Sequence, residues 1–266
     1  MQLKCLALTG FIFGGLKPLA EQHRNMTKRI SLILICFTLG NLFAQSDSTE
    51  IRPRTNLIKK SILPLSLLTT GILLSDSGWE QSLNATIVDG VGNDFRTHID
   101  DFSRYAPIAT LVIANVAGVK ARHHWFDQTK KLAVSMILTD VFTRAIKNSV
   151  YKLRPDGSDK NAFPSGHTSI AFASGAAVYE EYKDTNRYLA YSGYGFATLT
   201  GGLRLANNKH YLSDVLAGAG IGILVTRLVY HFDYLFQWNP FLKWKNVSLI
   251  PRYSDRTLGL YFSKSF

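Results

Sequence analysis

The residues of this chain whose types and spacing could do chemistry fall in three short strings: Lys147-x6-Arg154-Pro155, Pro164-Ser165-Gly166-His167 and Arg204-x5-His210-x3-Asp214. Together they supply three cations, two imidazoles and one carboxylate. That inventory suits phosphoryl transfer, which needs equatorial oxygens neutralised, a nucleophile placed in line and a proton delivered to the leaving oxygen. No metal-ligand cluster and no cofactor are required, and none is expected.

Local geometry allows the strings to converge. Positions seven apart lie on one helix face two turns on, so Lys147, near the end of a helix over 131–150, and Arg154 just beyond can address one anion. Pro155 stops that helix and pushes Arg154 toward extended geometry, from which its planar fork reaches sideways. Ser165 is placed as an N-cap, and Gly166 lets backbone approach an anion closely. The N–H groups of that first turn then face the phosphate, with His167 at the rim. Asp214 lies one turn beyond His210 and is expected to accept its Nδ1 proton, which leaves the Nε2 lone pair toward substrate. Each string alone is ordinary, because basic residues close many helices and His–Asp pairs are common local contacts. Ten specified residues in fixed order across all three strings are not.

From Lys147 to Asp214 the arrangement resembles the superfamily of type 2 phosphatidic acid phosphatases, bacterial nonspecific acid phosphatases and vanadium haloperoxidases. Flanking helices extend the resemblance to roughly residues 57–232. The resemblance implies that His210 is a nucleophile forming a phosphohistidine, Asp214 its orienting partner and His167 the acid that protonates the leaving alcohol. It implies a phosphate cradle of Lys147, Arg154, Ser165, Gly166 and Arg204. Two departures stand out. Leu203 occupies a place where the family usually has serine, and the 156–163 connection is shorter than usual, leaving little to roof the site.

Around these strings, apolar runs of helical length cover 61–75, 105–119, 131–147, 165–182, 188–205 and 212–230. They predict an all-α bundle of about six helices within a phosphatase domain at 57–240. The more polar stretch 76–104 has room for a short amphipathic helix beside the bundle. After it, the tail 241–266 alternates with period two around Ser254-Asp255-Arg256-Thr257, the pattern of a small β-hairpin.

The N-terminus reads as a targeting segment. From Met26, a candidate initiator, Lys28-Arg29 precede an apolar run at 30–39 and a small residue, Ala44, as expected of a signal region over 1–44 followed by a linker at 45–56. Both cysteines, Cys5 and Cys36, fall before that cleavage point, so the exported chain needs neither a disulfide nor a cysteine-bound metal. The net charge of +11 is spread along the chain without runs, and no nucleic-acid motif accompanies it, so nucleic acid is not expected as a partner.

Mean hydropathy is only +0.03 and uncharged runs are mostly short, which favours shallow insertion. The Gly218-x3-Gly222 spacing and the resemblance favour helix packing in lipid. The resulting expectation is an exported, periplasm-facing, membrane-associated phosphatase whose substrate is a lipid phosphate or diphosphate. The alternatives are a soluble periplasmic acid phosphatase, a vanadate-dependent haloperoxidase or a phosphate-binding protein. The sequence leaves oligomeric state open.

Overall fold

The computed structural model describes residues 55–239, 247–254 and 257–264. The expected signal region, and the linker up to residue 54, lie outside the described residues. In chain order the helices are α1 (Thr55–Leu74), α2 (Gly78–Val91), α3 (Ile99–Ser103), α4 (Ala106–Val116), α5 (Trp125–Ser149), α6 (Gly166–Tyr182), α7 (Arg187–Ala206) and α8 (Leu212–His231), followed by a 3₁₀ turn at Asp233–Phe236. The six expected runs each become a helix. The stretch 76–104 holds two, α2 and α3, where one was expected. Two strands, β1 (Val247–Ser254) and β2 (Thr257–Lys264), pair antiparallel with Val247 opposite Lys264. The tail is therefore a hairpin, as its alternation predicts.

α6 is the central helix, with Ala171, Ala173, Ala176 and Ala177 fully buried. Its small side chains let neighbouring backbones come close. A Cβ on Gly218 of α8 would lie 2.7 Å from the Ser165 carbonyl oxygen, and one on Gly175 of α6 would lie 2.7 Å from the Gly193 oxygen of α7. Neither position tolerates a larger residue without moving a helix. Around this seam, Leu68, Ile72, Phe163, Ala217, Ile221 and Val225 pack α1 and the 150–165 connection against α8. Leu111, Ala114, Val178, Tyr182 and Ala190 join α4, α6 and α7.

Antiparallel succession decides where the three strings meet. α5 and α7 end where α6 and α8 begin, so Lys147, the Ser165 turn, Arg204 and the His210–Asp214 segment gather at one end of the bundle. The Ser165 amide donates to the Asp214 carbonyl at 3.0 Å, which stitches the starts of α6 and α8 together. α3 is pinned over this end by Ser103 Oγ at 2.8 Å from Thr200 Oγ1 and by Asn207, whose side chain bonds both the amide and the carbonyl of Thr97.

Among the described residues, two helices are long and apolar enough to cross a membrane, over Leu57–Leu74 and Leu212–His231. They differ in burial. The α1 window is 22% buried and the α8 window 72%, so α8 is a core helix and α1 turns most of its apolar surface outward. Ile58, Ile62, Leu63 and Leu73 are exposed on α1, as are Val112, Ile113 and Val116 on α4 and Ile137 and Val141 on α5. Apolar surface on this scale, spread over several outer helices, is what a hydrocarbon environment covers.

Candidate active site

His210 sits in the connection between α7 and α8, 2% exposed. Its Nδ1 lies 2.8 Å from the Ala162 carbonyl oxygen and 3.6 Å from Asp214 Oδ2. A carbonyl can only accept, so Nδ1 carries the proton and Nε2 keeps its lone pair. The tautomer is the one the spacing predicts, with the Ala162 carbonyl as the nearer acceptor and Asp214 behind it. Asp214 Oδ2 is the longer, weaker partner of the ring, and its oxygens are engaged by other donors as well. Oδ2 accepts from the Tyr211 amide at 2.8 Å, and Oδ1 accepts from Lys152 Nζ at 2.9 Å. Burial pushes the His210 imidazole down to about 4, against the pull of Asp214 and with help from the charges of Arg204 and Lys147.

The cradle residues arrive from separate elements. Lys147, in the last turn of α5, donates to the Asn161 carbonyl at 2.5 Å. Burial and the neighbouring Arg154 guanidinium bring its ammonium down to about 8. Arg154 Nε bonds Asp159 at 2.9 Å. Arg204, 7% exposed at the end of α7, directs one Nη to Asp100 while its buried Nε has no partner among the described residues. A buried guanidinium N–H without an acceptor is costly, and an anion arriving beside it relieves that cost.

Ser165 occupies the N-cap position of α6 with extended backbone, but its side chain does not cap the helix. The expected cap bond is replaced by one between side chains, with Thr168 Oγ1 donating to Ser165 Oγ at 2.9 Å. The first-turn amides of α6, Gly166 included, thus have no side-chain acceptor, as a helix start needs if it is to receive an anion. His167, on that turn, places Nε2 2.8 Å from Asp101 Oδ1. Burial lowers the His167 imidazole below its ordinary value, and Asp101 opposes that shift. Asp101 is itself held low, chiefly by the bond to His167.

Four acidic and basic groups at this end were not singled out from sequence. Asp100 and Asp101, both on α3, serve Arg204 and His167 respectively. Lys152 is 3% exposed and bridges Asp214 Oδ1 and Glu80 Oε1, each at 2.9 Å, while donating to Ser213 Oγ at 2.7 Å. Glu80, on α2, is 1% exposed. The adjacent Asp100-Asp101 pair beside apolar runs was the available signal. Nothing local distinguishes Lys152 from the surface lysines around it. Asp100, Asp101 and His167 also offer ligand atoms close enough to share a cation. Each is already engaged, however, with Asp100 on Arg204 and Asn207 and Asp101 on His167.

Residues 128–238 match the PAP2 superfamily model, and this segment is a PAP2-superfamily domain. Over 195 residues, 72% of this chain, the sequence is 34% identical to a lipid A 1-phosphatase of Porphyromonas gingivalis, and it spans 42% of the length of that relative. Among solved structures, LpxE from Aquifex aeolicus aligns at 19% identity with a TM-score of 0.46, covering 59% of this chain and 98% of the other. A transmembrane PAP2-type phosphatidylglycerolphosphate phosphatase from Bacillus subtilis aligns at 20% identity and the same TM-score of 0.46, covering 66% of this chain and 98% of the other.

Proposed function

We propose that this chain is an exported, membrane-associated phosphatase that removes a phosphate from a lipid through a phosphohistidine. The observation that carries the reading is His210, buried, with Nδ1–H tied to the Ala162 carbonyl and Nε2 left as a lone pair under the charges of Arg204 and Lys147. Lys147, Arg154, Arg204 and the first-turn amides of α6 bind the phosphoryl oxygens. His210 Nε2 then attacks phosphorus, forming a P–N bond as the P–O bond to the leaving group breaks. The leaving oxygen takes a proton from His167 Nδ1, while Asp101 retains the Nε2–H. Neutral His167 next accepts a proton from water, whose oxygen attacks phosphorus and breaks the P–N bond, freeing phosphate. Asp214 acts through space and through the Tyr211 amide, setting the entry to α8 and the negative field near the imidazole.

The substrate class rests on likeness and surface. The Porphyromonas relative is a lipid A 1-phosphatase, and α1 turns an apolar face outward beside the bundle. A phosphorylated lipid of that type is therefore the first candidate, with the catalytic end at a water interface. The test is phosphate release from lipid A, phosphatidate, an isoprenyl diphosphate and a soluble aryl phosphate by wild type and His210→Ala. Release by wild type alone, strongest on a lipid, is expected. Undiminished release by His210→Ala overturns the mechanism, and a preference for the aryl phosphate overturns the substrate class.

A further inference from the structure

At the opposite end of the bundle from His210 lies a second basic cavity, of about 320 Å³, where α1 begins and α6 and α8 end. Lys59, Lys60, Lys183 and Arg227 contribute four cations to its lining, and Glu180 is the one carboxylate there. Glu180 is shared, accepting from Lys183 and lying 3.7 Å from Arg122 on its far side. The cavity is thus left with an excess of positive charge. Arg227 bonds the Lys60 carbonyl through one Nη, and its guanidinium also faces the buried hydroxyl of Tyr194.

What borders the cavity says which anion. Leu63 and the Tyr179 ring line one wall, and Ile58 and Ile62 stand exposed on α1 at the same level, 73% and 61% accessible. A free phosphate has no use for that apolar rim, whereas a phospholipid lays its acyl chains along it. Lys59 and Lys60 fall in the opening turns of the mostly unburied apolar window of α1, at the depth where headgroup phosphates sit.

We infer that this cavity binds the phosphate of an anionic phospholipid headgroup, in the leaflet opposite the one from which the catalytic end draws its substrate. The inference rests on the membrane placement proposed above and is independent of the chemistry at His210. The lipid is a bound ligand, with its phosphodiester left intact.

The experiment measures retention of dimyristoyl phosphatidylglycerol and dimyristoyl phosphatidylcholine by the purified full chain, using native mass spectrometry from detergent. Wild type is expected to retain phosphatidylglycerol preferentially. K59Q/K60Q/K183Q alters accessible side chains and is expected to weaken that binding on the order of 100-fold, from roughly fivefold per cation. Arg227→Gln removes the fourth cation of the lining and is expected to weaken retention of phosphatidylglycerol as well. Arg204→Gln, in the catalytic cradle, is expected to keep the lipid. Undiminished phosphatidylglycerol binding by the triple variant overturns the inference. So does loss of the lipid in Arg204→Gln, which places it in the catalytic cradle, or displacement by millimolar inorganic phosphate, which makes the site one for free anion. Failure of the phosphatase reading appears instead as absent turnover in wild type with lipid retention intact.

Discussion

Removing Lys152 tests whether a group remote from the phosphate holds the site together. Its ammonium is the cation between Asp214, fully buried, and Glu80, 1% exposed. Lys152→Met keeps the stem and deletes the charge, leaving two buried carboxylates facing one another across the lost cation. Breaking a buried pair by removing one partner costs about 3–5 kcal/mol. For a described helical region of this size each kcal/mol moves Tm by about 2–4 °C, so a loss of about 6–20 °C is expected. Glu80→Gln in the Lys152→Met background removes one of the stranded charges and should return part of that loss, a coupling read from the double-mutant cycle. The assay is thermal unfolding in detergent, with turnover of a soluble phosphomonoester measured at a temperature where each variant is folded. Turnover should fall as well, because Asp214 fixes the Tyr211 turn beside His210. A Tm within about 2 °C of wild type and unchanged turnover would refute the assignment of Lys152 as the counterion of that pair.

Other expectations follow from the same geometry. Asp101→Asn should lower kcat by about 100-fold on substrates with poor leaving groups and much less on an aryl phosphate, since it weakens proton delivery by His167; equal loss on both substrates contradicts that role. The profile of kcat/KM against pH should be bell-shaped and acidic. It should rise through about 4 as His210 loses its proton and fall below the ordinary histidine value of 6.5 as His167 loses its own. A flat profile from 4 to 8 would be inconsistent. The same depressed His210 makes the unfolded chain the stronger proton binder, so its contribution to stability is undiminished above 6.5 and declines as pH falls toward about 4. His210→Asn should reduce that decline in pH-dependent unfolding. Gly218→Ala should destabilise by about 1–3 kcal/mol, because its Cβ meets the Ser165 oxygen at 2.7 Å. Wild-type stability in that variant would mean that α6 and α8 are less closely packed than described.

Motif residues were legible because their chemistry is tied to spacing along one helix start or end. Lys147, Ser165–His167, Arg204 and His210–Asp214 all lie within a turn of such a boundary, and the apolar runs set those boundaries closely. What the sequence did not display was long-range. The carbonyl that fixes the His210 tautomer is Ala162, and a backbone acceptor has no residue-type signature. Asp101 reaches His167 across 66 positions, and Lys152 reaches Asp214 across 62, pairings that only the packed bundle creates. The Ser165 cap failed for a related reason. Its hydroxyl has a competing partner in Thr168, which short-range rules rank below the backbone but a buried site does not.

The stitch between the Ser165 amide and the Asp214 carbonyl, with Gly218 pressed on the Ser165 oxygen, turns α6 and α8 into a single chassis. The proposed phosphate-binding and attacking groups are mounted on that chassis or beside its ends. Asp101, the partner of His167, arrives on a separate part, the 76–104 segment, held down by Ser103–Thr200 and the Asn207–Thr97 bonds. On the proposed mechanism, variation in that segment retunes which leaving groups are accepted without disturbing the groups that hold phosphorus, and an engineer seeking a new client would exchange it first.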